Sequence, residues 1–106
     1  ERLRHAGDED LVALPRYQAF TAASIALAQR GTKFVDIAGN RGTILVSIVA
    51  PTSMPAPRDA PVLFMEPIIT RPGHRRIVLQ VPVTRLSAVL NRYAPIPGAI
   101  EHVFDY

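Results

Sequence analysis

The sequence predicts an α+β two-layer sandwich, a mixed, mainly antiparallel sheet of four to five strands with two helices on one face, in the order α-β-β-β-β-α-β. Three observations carry this expectation. Residues 16–30 and about 83–94 are rich in helix formers and are bracketed by Pro and Gly. Five runs rich in Val, Ile, Leu and Phe (33–38, 43–50, 62–70, 75–81 and 99–106) are short enough for strands. The segments between them carry the turn residues Gly39-Asn40-Arg41-Gly42, Arg71-Pro72-Gly73-His74 and Pro95–Gly98.

A chain of 106 residues is expected to form one domain, burying roughly two-thirds of the surface of the unfolded chain. Hydrophobic residues make up 48% and charged residues 20%, with no Trp, so the core must be mainly aliphatic. The absence of Cys excludes disulfides, thiolate metal sites and a Cys nucleophile. Lys33 is the only Lys among twelve basic residues. An Arg-, Ala- and Pro-rich usage of this kind fits a GC-rich bacterial genome, and Arg favours bidentate contacts with carboxylates and phosphates. The net charge of +3 resides in 71–106, where five Arg face Glu101 and Asp105; the two earlier thirds of the chain balance. Such a surplus permits anionic partners without implying nucleic acid.

Residues 1–10 are charged and lack an apolar period, so a flexible start is expected. Pro15 fits the first turn of the 16–30 helix, and Gly31 fits its C-terminal cap. Phe20, Ala23 and Leu27, with Ala19, Ile25 and Ala26, form its expected core face. The apolar stretch between Arg16 and Arg30 is too short to cross a bilayer. Because the first residue is Glu, the chain is read as a processed or trimmed product, which leaves a signal or anchor upstream open and the compartment undetermined.

Strands 33–38 and 43–50 are expected to pair as a hairpin across 39–42. Ile44, Val46 and Ile48 alternate with Leu45, Ser47 and Val49, so both faces of the second strand are apolar. Pro51, Pro55, Pro57 and Pro61 then mark 51–61 as a surface loop. Pro67 places strand 62–70 at a sheet edge or a bulge. A type II turn at 71–74 returns the chain into 75–81, with Ile77, Leu79 and Val81 on one face.

Thr84 is the expected N-cap of the second helix, whose stripe is Leu86, Val89, Leu90 and Tyr93. The connection from 81 to 99 is long enough for a crossover to a parallel strand. Residues 74–106 share the strand–helix–strand rhythm of ferredoxin-like and small regulatory domains, a pattern with no motif attached and no family assigned.

The strongest chemical feature is the group Arg71, His74, Arg75 and Arg76 around one turn, candidate ligand-binding residues for a phosphate, a carboxylate or an acidic partner. The plainer reading is a solvated turn kept soluble by charge. Exposed aromatics that would favour nucleic acid are missing nearby. Glycines at 39–42 could cradle an anion, but no phosphate-loop pattern accompanies them. No metal or cofactor motif joins His74 and His102, and none is expected. Glu101 and Asp105 stand about 13 Å apart along an extended strand, too far for a tight acid–base pair. Ser24, Ser47, Ser53 and Ser87 lack a nucleophile setting. His102, Phe104 and Tyr106 share one face of the last strand and form a candidate partner edge.

The function expected from these features is a small non-enzymatic binding or protein–protein interaction module, self-association included. The alternative is a sensor or regulatory domain that binds an anionic ligand or nucleotide through the 71–76 turn.

Overall fold

The computed structural model describes residues 2–6, 9–12, 18–35, 37, 41–58 and 60–104, of which 2–6, 9–12 and 18 are described by backbone alone. The chain runs β1 (Arg2–Ala6), β2 (Glu9–Val12), α1 (Gln18–Gln29), β3 (Thr43–Pro51), β4 (Val62–Pro67) and β5 (His74–Pro82). A 3-10 turn (Val83–Arg85), α2 (Leu86–Tyr93) and β6 (Ile100–Val103) complete it. Four strands form one sheet in the order β4-β5-β3-β6, and both helices contribute to the core cluster on one of its faces. The fold is the expected α+β sandwich.

Every ladder in the sheet is antiparallel, where a mixed sheet was expected. β3 and β5 pair without interruption from Thr43↔Pro82 to Pro51↔His74. Because β5 and β6 each run antiparallel to β3, they run parallel to one another with β3 between them. The β5–α2–β6 crossover therefore does join strands of one direction, as a split β-α-β unit rather than as neighbours.

Among the described residues the hairpin expected between 33–38 and 43–50 is not seen: the sheet neighbours of β3 are β5 on one side and β6 on the other. Residues 32–35 are irregular and Ile37 makes only an isolated bridge, yet Phe34 and Ile37 are both buried in the core. Gly39 and Asn40 of the expected turn lie outside the described residues, as do Pro15 and the expected helix start at Arg16.

The core is aliphatic, as the composition requires. Ile44, Val46, Ile48 and Ala50 of β3 and Ile77, Leu79 and Val81 of β5 meet Leu86, Val89, Leu90 and Tyr93 of α2, the expected stripe. On α1 the buried row is Phe20, Ser24 and Ala28, with Thr21 beside it, rotated from the expected row because two polar groups find partners inside. Ser24 Oγ donates to the Phe20 carbonyl at 2.8 Å, and Thr21 Oγ1 accepts from the Val103 backbone N–H at 2.9 Å. Asn91 Nδ2 donates to the Ala28 carbonyl at 2.9 Å, joining the helices.

Gly31 ends α1 at φ 85°, with Gly31 N–H bonded to Ala28 O and Thr32 N–H to Leu27 O. These are the two bonds of a Schellman cap. Thr84 does not cap α2. It lies inside the 3-10 turn, whose N-cap is Pro82, and no side-chain cap bond is made there or at Arg85. At the charged start, β1 and β2 pair antiparallel as a separate two-stranded ladder with His5 opposite Asp10. Pairing between these two adjacent segments puts regular structure where no apolar period signals it and a flexible start was expected.

Candidate functional site

The turn bearing the candidate residues forms as expected. His74 N–H donates to the Arg71 carbonyl at 3.2 Å and Gly73 takes φ 80°, the left-handed geometry a type II turn requires. The four side chains do not converge, because successive residues of a strand point to opposite faces. Arg75 Nη2 donates to the Met54 carbonyl at 2.9 Å, which ties β5 to the proline-rich loop, while its Nε is buried without a hydrogen-bond partner. Arg76 turns to the face away from the helices. His74 Nδ1 lies 3.3 Å from the Pro72 carbonyl, and Arg71 is exposed at the tip.

Arg76 is the centre of a polar cluster on the helix-free face. Its Nε donates to Glu101 Oε1 at 2.7 Å and its Nη2 to Glu101 Oε2 at 2.8 Å, a two-toothed grip, while Nη1 donates to Glu66 Oε1 at 3.0 Å. Ser47 Oγ donates to Glu101 Oε1 at 2.5 Å from β3. The Arg76 hydrogen bonds hold the Glu101 carboxyl below its ordinary range, with Ser47 helping and partial burial opposing. The same bonds to Glu101 and Glu66 raise the Arg76 pKa further, so the guanidinium stays charged.

Glu101 reaches this face through an irregularity in β6. Val46 pairs with Val103, Ser47 with His102 and Ile48 with Ile100, so Glu101 and His102 together oppose Ser47. An extra residue of this kind is a β-bulge, and here it aims Glu101 at Arg76. Strict alternation had set Glu101 and His102 on opposite faces. The available signal was the spacing of Ile100 and Val103, three apart and both packed to the core. Glu66 and Ser47 were not foreseen as partners of Arg76, since strand register is not visible in local sequence. His102 of β6 and Phe104 just beyond it do share a face, with ring centroids 4.3 Å apart at 64°, and His102 Nε2 is buried without a hydrogen-bond partner. Tyr106 lies outside the described residues.

A second feature is β4. It occupies the outer edge of the sheet, as Pro67 implied, and all six of its residues are exposed. Val62, Leu63, Phe64 and Met65 are 37%, 48%, 47% and 48% exposed, and Ile69 just beyond is 94% exposed. Ile68 N–H donates to the His74 carbonyl at 3.2 Å. In an antiparallel ladder every second residue then turns its backbone to the partner strand. Glu66 and Phe64, paired with Arg76 and Val78, therefore face β5, and Met65 turns its N–H and C=O to the open edge. Pro67 also faces outward and has no N–H to offer. A register shift between Val62 and Phe64 adds a bulge.

Elsewhere, an open groove of about 540 Å³ lies between Met54–Arg58 of the proline-rich loop and Arg92 and Tyr93 at the end of α2, with Ile96 beyond it. No helix among the described residues is long and apolar enough to cross a membrane. No protein family model, no curated protein and no solved structure matches the chain.

Proposed function

We propose that the chain is a binding module that takes up a polypeptide strand along the open edge of β4. The observation that carries this reading is an edge strand with every residue exposed, four of them large apolar side chains in a row. Exposed edges present unpaired backbone groups to an incoming strand, and side chains on both faces of the edge supply the apolar contact. The Arg76 cluster supports the same reading by holding β5, β3 and β6 together behind that edge. An anionic ligand at the 71–76 turn draws less support, because it would have to displace Glu66 and Glu101 from Arg76.

The test is a titration of ¹⁵N-labelled protein with unrelated extended peptides of alternating Val and Thr. Amide shifts are expected at Val62, Leu63 and Met65 and not at the outer face of β6. In protein that sediments as a monomer at the labelling concentration, no shift along β4 at ~1 mM peptide, a binding free energy weaker than about −4 kcal/mol, would overturn the proposal.

A further inference from the structure

We infer that the strand taken up by β4 is β4 of a second copy of this chain, paired antiparallel about a two-fold axis at Met65. This inference rests on the strand-addition reading above and names its partner. Glu66 is the only charged residue of β4, and it is ion-paired at 3.0 Å with its own Arg76, which it shares with Glu101. Outside that ion-paired cluster the edge is apolar, and its complement is another apolar strand. Among the residues whose exposure is described, the large exposed hydrophobics are four residues of β4 and Ile69 beside it. The matching surface is β4 itself, and a two-fold contact requires this kind of self-complementarity.

The backbone selects the register. Met65 is an outward-facing residue with both an N–H and a C=O to give. Centring on it pairs Met65 with Met65 of the second copy through two reciprocal hydrogen bonds. Leu63, at the bulge, then lies opposite Pro67 of the other copy, so the positions that lack an outward donor meet each other and the regular bonds are centred on Met65. Phe64 lies opposite Glu66, and the two Glu66 carboxylates do not face one another. The product is one continuous eight-stranded antiparallel sheet. The five exposed side chains amount to roughly 500 Å² per copy, below the ~800 Å² of a standard stable interface. The dimer is thus placed among the small, weakly associating interfaces.

Sedimentation velocity from ~5 μM to ~500 μM tests this, and a concentration-dependent monomer–dimer shift is expected. Met65→Pro removes the outward donor without breaking a bond to β5, and Phe64→Glu sets a second carboxylate opposite Glu66 of the other copy. Each is expected to weaken the dimer at least ~10-fold at unchanged circular dichroism. The chain has no Cys, so Met65→Cys supplies a single reporter. Hydrogen-bonded cross-strand pairs lie about 5.5 Å apart at Cα, inside the range a disulfide spans. Met65→Cys should therefore cross-link on oxidation, and Leu63→Cys, about 13 Å from its own copy in this register, should not. A wild-type chain monomeric at every concentration overturns the inference, as does a dimer that both variants leave intact or that cross-links as well through Leu63→Cys. A monomer that still shows peptide-induced shifts at Met65 sinks only the self-pairing and leaves strand addition standing.

Discussion

Arg76 and Glu101 stand on strands that are not neighbours, yet they share a two-toothed ion pair at 2.7 and 2.8 Å that passes over β3. Ser47 of β3 donates to the same carboxylate from below at 2.5 Å. The cluster thus clasps β5, β3 and β6 on the face that no helix covers.

That clasp has a pH signature. The folded-state pKa of Glu101 lies below its ordinary value of 4.5, so its stabilisation is fully present above that value and is lost as pH falls through the lower folded value. Urea unfolding of wild type and Glu101→Gln should therefore differ at neutral pH and converge as pH falls through the lowered folded-state value. The difference should be small and should shrink further in high salt, because the pair faces solvent. A gap between the two proteins that stays constant across this range would remove the ion pair from the account.

The cap at Gly31 gives a cleaner stability test. Nothing lies within 4 Å of a Cβ built there, so only the positive φ opposes a side chain. Gly31→Ala should cost about 1 kcal/mol in chemical denaturation, and Gly31→Asn less, since Asn enters the left-handed region more readily. Equal costs for the two variants would point to crowding in place of backbone conformation.

Thr84 and Leu86 separate a surface position from a core one two residues away. Thr84 is exposed and makes no cap bond, so Thr84→Ala should change stability by less than about 0.5 kcal/mol, where loss of a working N-cap costs about 1. Leu86 is fully buried, and Leu86→Ala should cost about 2–5 kcal/mol. A Thr84→Ala loss near 1 kcal/mol would restore the cap reading.

Features encoded by neighbours along the chain were readable from the sequence. The α2 stripe, the Gly31 cap, the 71–74 turn and the edge position implied by Pro67 all follow from side-chain periodicity or from Gly and Pro backbone limits, which act within a few residues. The α1 row was misplaced for a reason outside that range. Ser24 closes a bond within the helix, but Thr21 is buried because Val103, 82 residues away, needs an acceptor.

Amino-acid order by itself determined two helices, an aliphatic core and a sheet with one strand at its edge. Only the tertiary structure decided that β3 lies between β5 and β6, with the described residues 33–35 and Ile37 outside that sheet. It likewise sent Arg75 to Met54 and Arg76 to Glu66 and Glu101, dividing a sequence cluster between two faces. The physical reason is that strand pairing and register are choices between distant segments. They are settled by which pairing buries the most apolar surface and satisfies the most backbone groups at once.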